Sequence, residues 1–328
     1  MGCNIGTGSR SYVRYAYEGV YNTAEADGNL SKYFGHNVKF TASPKNNLER
    51  IPNLNSRNYS KYVAKKFEGS FTVDFQMSNA YFLKGVIGAV TSTGGVGAYQ
   101  HSYAESNCPS GATIQSSEDL DTDSERTFTG CIFDKLTLNM AVGEVVTGKI
   151  DGFYSSESKD ATLNTTGNDA DADDVFTFAH ATLEFPNSTT ITEVQSLDLN
   201  ISNNTEMVWG LGSSKSTKRA SKQRVYEFSI NKIRTKDADL LDKFYGSTTT
   251  ISDTGTPTSG ATLKVTLDNG ISGASNRAVV FEFDNIQVVD PSIPLEPTEI
   301  VKESATLYAL SIGSASGVLV YNNTATQT

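Results

Sequence analysis

Phe67-Glu68-Gly69-Ser70-Phe71-Thr72-Val73-Asp74-Phe75 alternates apolar and polar side chains, whereas the later stretch from Asn79 to Ala89 does not. Successive side chains of a strand point to opposite faces, so the first stretch reads as a strand with one buried side. In the second, Tyr81, Phe82, Val86 and Ile87 share one side of a helix that Ser78 or Asn79 can cap. The same succession recurs: Val225 to Ile230 reads as a strand, and Lys236 to Tyr245 as a short amphipathic helix closed by Gly246. Between these two units, Ile132, Leu136, Leu138 and Met140 alternate with polar residues. The chain then turns over Ala141-Val142-Gly143-Glu144 and returns from Val145 to Phe153, which makes a hairpin. A hairpin-like pair is expected again over 194–210. There Val194, Leu197, Leu199 and Ile201 precede the turn Ser202-Asn203-Asn204 and then Met207-Val208-Trp209. Strand-helix and hairpin, each met twice, indicate a loose internal duplication.

The remainder is mostly short strands in polar surroundings. Residues 1–60 read as an arm with little core of its own. Short strands are expected at Tyr12–Tyr17 and Val38–Thr41, and Pro44, Pro52 and several Asn residues interrupt the chain beyond them. Residues 91–127 read as a long polar loop with room for a hairpin, 154–174 as a second polar loop, and Val175 to Phe185 as a strand. Leu263–Leu267, the turn Asp268-Asn269-Gly270, Val279–Phe283 and Ile286–Val289 come next. Pro291, Pro294 and Pro297 impose an extended crossing before two last strands at Ala305–Ser311 and Val318–Tyr321. The sum is a dozen or so strands and one or two short helices. The expected fold is mainly β, an antiparallel sandwich or barrel with long loops rather than a parallel nucleotide-binding sheet. We expect one elaborated domain over 1–328: an arm at 1–60, a duplicated core at 61–247, and C-terminal strands with the extended crossing at 248–328.

Composition narrows the function. The 328 residues are 38% hydrophobic and carry a formal charge of -10. An acidic chain repels phosphate, which argues against nucleic-acid reading as the main activity. The basic cluster Lys215, Lys218, Arg219, Lys222 and Arg224 reads as a solvated loop, or as a contact for an acidic neighbour. No run of 18 apolar residues offers a membrane span. Met1-Gly2-Cys3-Asn4-Ile5-Gly6 lacks the basic start and apolar stretch of a secretory signal, and Gly6 stands where myristoylation wants Ser or Thr. A cytoplasmic place of assembly is therefore expected.

Candidate chemistry is sparse. Cys3, Cys108 and Cys131 form no CxxC, Cys131 reads as a core residue, and a Cys108–Cys131 bridge is disfavoured in a reducing compartment. His36, His101 and His180 are scattered. No P-loop, GxSxG or HExxH motif is present, and Gly94-Gly95-Val96-Gly97 reads as a flexible loop. Asp119, Asp121, Asp123 and Asp169, Asp171, Asp173 each alternate like the start of a calcium loop. Their sixth and twelfth places hold Ser124 and Gly130, or Asp174 and His180, instead of Gly and Glu. Trp209, the single tryptophan, reads as core or interface. No catalytic, cofactor-binding or metal-binding residue is assigned, and no cofactor is expected.

The order of these signals resembles the tail tube proteins of tailed viruses of bacteria or archaea, in their longer, duplicated form. The resemblance is carried by an opening Tyr15-Ala16-Tyr17-Glu18-Gly19-Val20-Tyr21 and by the Gly69-led strand with its helix. It is carried further by Thr129-Gly130-Cys131 running into Gly143-Glu144, by Leu199-Asn200-Ile201-Ser202-Asn203-Asn204, and by Asn276-Arg277-Ala278-Val279-Val280-Phe281-Glu282-Phe283-Asp284-Asn285-Ile286. It implies a structural virion protein without catalysis, assembling with itself into stacked rings, usually of six. DNA would pass through the lumen without specific binding. Other partners would be tape measure, terminator and baseplate or tip proteins. From the residues alone, a surface β-sandwich for sugar binding or fibre assembly, and a hydrolase on a β-scaffold, stand as alternatives.

Overall fold

The computed structural model describes residues 11–95, 98–118, 125–160, 173–235, 240–245, 261–271, 277–313 and 317–322. In chain order, β1 (Tyr12–Tyr17) leads to β2 (His36–Pro52) and β3 (Tyr59–Gln76), then to helix α1 (Leu83–Val86). Next come β4 (Gly88–Gly95), β5 (Ala98–Glu105), β6 (Ala112–Ser117), β7 (Glu125–Ala141), β8 (Thr147–Tyr154) and β9 (Ser156–Asp160). A second run holds β10 (Ala181–Glu184), β11 (Val194–Ser202), β12 (Glu206–Val208), β13 (Lys218–Ala220), β14 (Val225–Ile233) and α2 (Leu240–Tyr245). It ends with β15 (Thr262–Asp268), β16 (Ala278–Asp284), β17 (Gln287–Ser292), β18 (Lys302–Ala309), β19 (Ser311–Ile312) and β20 (Val318–Asn322).

Strand order shows two units of one design. The main sheet runs β2-β3-β8-β7-β11-β14-β18-β17. Its first four strands and its last four have the same order: a hairpin, then a second hairpin laid beside it in reverse. A second layer repeats as well. In the first unit it is β1-β6-β7-β9, and in the second β10-β15-β16-β20, with the β5–β4 hairpin added beyond β20. Strand β7 spans both layers as one strand. Its counterpart is broken after Phe283-Asp284 into β16 and β17, where Asn285 has φ 56°. Helix α1 packs on β7, and α2 packs on β17. The units join where β7 pairs antiparallel with β11, Leu138 facing Leu199.

Alternation builds the core. Phe71, Val73 and Phe75 of β3, Leu136 and Leu138 of β7, and Tyr226, Phe228 and Ile230 of β14 point inward and are buried. The layers meet through rings: Phe283 of β16 lies edge-on to Phe228 at 4.8 Å, a favourable aromatic geometry. Glycine makes room for two more rings, since a Cβ at Gly148 or Gly152 of β8 would run into Phe75 or Phe71. Lys232 and Glu303 form a fully buried ion pair at 3.5 Å, and Glu303 Oε1 accepts the Leu241 N–H at 2.8 Å, tying α2 to β18. The fold is thus a mainly antiparallel β-sandwich with two short helices.

Several expectations are corrected. Residues 194–210 are no hairpin: β11 pairs with β14 and β7, while β12 pairs with β13. The real counterpart of β7–β8 is β17–β18. Residues 91–127 hold β5, β6 and parts of β4 and β7, because Ser- and Thr-rich stretches pair once a neighbouring strand covers one face. The opening segment is built into the core, where Tyr15 stacks on Phe34 at 4.4 Å and both are buried. Pro44 does not end β2, which runs on to Pro52, since an edge strand can do without the missing N–H group. Cys108 and Cys131 are both free thiols, too far apart in environment to share a role: one is exposed, the other buried.

Candidate assembly surfaces

Two surfaces stand out. The first is the outer half of the β2–β3 hairpin. The two strands stay paired from His36–Gln76 out to Pro52–Tyr59. Beyond about residue 45 neither face meets core, and the side chains from Lys45 to Lys66 are almost all exposed. Leu54 at the tip is 103% exposed, Tyr62 68% and Leu48 60%. Large apolar groups gathered on a projecting, solvated hairpin are an interaction signal. Arg50 lies over the rings of Tyr59 and Tyr62 at 5.8 and 5.9 Å. Residues 45–66 contain Lys45, Arg50, Arg57, Lys61, Lys65 and Lys66 against Glu49 alone. That segment is +5, so the rest of the chain is -15 (-10 less +5).

At its base the hairpin is pinned. Trp209 Nε1–H donates to the Phe67 carbonyl at 3.1 Å, and Lys66 sits 4.4 Å over the indole. Lys66 and Asn47 hold the Glu68 carboxyl down at about 2. A groove of about 720 Å³ opens there, lined by Lys66, Glu68, Tyr154, Met207 and Trp209.

The second surface is the face of the main sheet turned away from the core. One register row crosses all eight strands: Lys39–Asp74–Lys149–Thr137–Asn200–Glu227–Tyr308–Gln287. This row and its neighbours carry short polar residues that bond across strands. Thr72 Oγ1 donates to Asp151 Oδ1 at 2.8 Å, Thr137 Oγ1 to Asn200 Oδ1 at 2.8 Å, and Asn139 Nδ2 to Asp198 Oδ1 at 2.5 Å. Over the three central rows Lys39, Lys135 and Lys149 stand against Asp74, Asp151, Asp198 and Glu227, so charge nearly cancels. The sheet ends in two strands, β2 and β17, each hydrogen-bonded to a neighbour strand on one side only among the described residues.

The residues singled out by sequence lie apart. His36 meets the Asp173 carbonyl at 2.6 Å, buried His101 sits between Ser92 at 2.7 Å and Asn322 at 3.0 Å, and His180 closes the turn at Thr177. Of the basic cluster, Arg219 bonds the Pro109 carbonyl and covers Tyr21. Arg224 reaches the Ile87 and Ser106 carbonyls at 3.1 Å, and Lys222 pairs with Glu206 at 2.7 Å. Both Asp-rich runs lie outside the described residues except Asp173, which pairs with Arg277 at 3.1 Å. Among the described residues no cluster of His, Cys, Asp and Glu could hold a metal, and no helix is long and apolar enough to cross a membrane.

A family model described as phage tail tube protein matches residues 8–307 of the 328. The chain belongs to the phage tail tube family. It is therefore a structural component of a phage tail, and the match spans both units of the fold. A search of curated proteins gave no match. Sequence reading misses the hairpin arm. Its signal lies in Leu48, Ile51, Tyr59 and Tyr62, recurring among six basic residues on either side of Leu54.

Proposed function

We propose that the chain is the major subunit of the tail tube, that copies join side by side into rings, and that stacked rings form the channel for DNA. The observation that carries this is an eight-strand run of the main sheet with one polar face, whose two outer strands have no second neighbour among the described residues. An open edge presents a row of backbone donors and acceptors, which an equivalent copy can satisfy by head-to-tail pairing. The polar face becomes the lumen. Its balanced Lys and carboxylate groups offer phosphate no net positive surface to hold, so DNA slides past hydrated Ser, Thr and Asn. The +5 hairpin arm reaches the -15 body of a copy in the next ring, where charge favours encounter and the apolar tip supplies contact. Six copies around the ring is the number the family resemblance implies. Tape measure, terminator and baseplate or tip proteins would meet the tube's bore and ends. No reaction is required of any residue. Negative-stain microscopy of the purified protein should show rings or tubes. A strictly monomeric species at high concentration, together with its absence from virion tails, would overturn the proposal.

A further inference from the structure

The geometry points to a self-modifying turn: Asn269 converts to aspartate and isoaspartate through attack of the Gly270 backbone nitrogen on its own side chain. The inference is independent of the tube reading. It rests on the hydrogen bonds of the turn that follows β15.

Asn269-Gly270 is the one Asn-Gly pair in the sequence. A bond from Gly270 N to Asn269 Cγ closes a five-membered ring, so the reacting atoms come together without help from distant residues, a large proximity advantage. Three further things speed such a closure: a base for the nitrogen, donors for the side-chain oxygen, and a small residue at the attacking position. This turn has all three. Asp268 Oδ1 accepts the Gly270 N–H at 2.8 Å, so a carboxylate meets the proton that must leave. Asn269 Oδ1 accepts the Ile271 N–H at 3.2 Å and the Arg277 N–H at 3.1 Å, so two backbone donors face the oxygen on which negative charge develops. Gly270 has φ 70°, and nothing lies within 4 Å of the place a Cβ would take. Water reaches the turn, since Asp268 and Gly270 are exposed. Asn203 shows the opposite case. It is buried, its Nδ2 donates to the Val86 and Phe133 carbonyls, Arg224 donates to its Oδ1, and Asn204 follows it.

The steps balance without a cofactor. Gly270 N attacks Asn269 Cγ while its proton passes to Asp268 Oδ1. The Ile271 and Arg277 N–H groups hold the oxyanion. The Cγ–Nδ2 bond then breaks, and Nδ2 leaves as ammonia with the proton that Asp268 took. One water opens the resulting cyclic imide, at Cγ to give aspartate or at the backbone carbonyl to give isoaspartate. Either product puts a second carboxylate beside Asp268 and takes the chain from -10 to -11 (one neutral amide lost, one carboxylate gained). Isoaspartate also adds a methylene to the backbone. That disturbs the reciprocal pairing in which the Asn269 N–H donates to the Arg277 carbonyl at 3.1 Å and the Arg277 N–H returns to Asn269 Oδ1. Ageing therefore loosens this end of the β15–β16 pair.

The test follows full-length protein through incubation at mildly alkaline pH, with peptide mapping by mass spectrometry and isoaspartate detection. Position 269 should convert ahead of every other Asn in the chain. Asp268→Ser keeps an oxygen that can accept the Gly270 N–H but removes the charge, and should slow conversion about tenfold or more. Gly270→Ala should slow it as well. In denaturant, wild type and Asp268→Ser should convert at equal rates, because the contacts exist only in the fold. An Asn269 that stays intact while other Asn residues convert would overturn the inference. So would folded Asp268→Ser that converts as fast as folded wild type.

Discussion

Removing the apolar tip of the hairpin arm should separate folding from assembly. Leu54 is 103% exposed and Tyr62 68% exposed, so neither side chain contributes much to the isolated fold. Leu54→Ser with Tyr62→Thr keeps a turn residue in the turn and a β-former in the strand, and should change folding stability by less than about 0.5 kcal/mol. Full burial of such side chains is worth about 1.5 to 3 kcal/mol each. Taking the low end for both, every ring-to-ring contact loses about 3 kcal/mol, and the concentration at which polymer appears rises at least about 100-fold. Sedimentation against concentration, with negative stain of the pellet and a thermal melt of the supernatant, reads both quantities. An unchanged melt with polymer onset moved up by two decades is the expected result. Polymer at the wild-type onset would rule out the placement of this tip in an interface.

Four further outcomes are expected. Because the arm is +5 and the remainder -15, Arg57→Glu with Lys61→Glu should slow tube growth by tenfold or more at low salt and by less at high salt, followed by light scattering. Gly148→Val forces the Phe75 ring aside and should cost about 1 to 3 kcal/mol in denaturant titration, with partial recovery when Phe75→Ala is added. Glu303→Leu removes the carboxylate that faces the buried Lys232 ammonium and should cost about 3 kcal/mol, whereas Lys232→Met with Glu303→Leu should lie closer to wild type. Burial pushes the phenols of Tyr15, Tyr17, Tyr103 and Tyr226 above their ordinary 10.0. Their neutral forms are favoured in the fold, so this contribution is intact below pH 10.0 and is lost as pH rises beyond it. Each phenol removes up to about 1.4 kcal/mol per pH unit. Phenolate absorbance should therefore rise together with loss of strand signal rather than before it.

Much of the architecture is legible in the chain because strands with one buried face announce themselves. Phe71, Val73 and Phe75, or Leu136, Leu138 and Met140, cannot alternate with polar residues by another economical route. What periodicity does not carry is partnership. β11 reads as a strand, but that it pairs with β14 across an insertion and with β7 across the unit boundary depends on contacts far apart in sequence. The duplication is visible in strand-helix order, yet its second hairpin is hidden: β17 and β18 are separated by Pro294 and Pro297, and β17 is cut from β16 at Asn285. The arm reads as irregular because Pro44 and Pro52 ordinarily argue against strands. An edge strand that leaves the body tolerates both. The polar face gives no signal as a site, since Thr137, Asn200 and Asp198 look like any solvated half of a sheet until eight strands place them in one plane.

Amide hydrogen exchange measured on dispersed and assembled protein probes the two sheet margins directly. Peptides covering residues 36–44 and 287–292 should exchange quickly when copies are apart and at least about 100-fold more slowly in the assembled state, while β8 and β14 stay protected in both. Margins that exchange equally fast in both states would overturn the ring, because then no sibling chain supplies the missing strands.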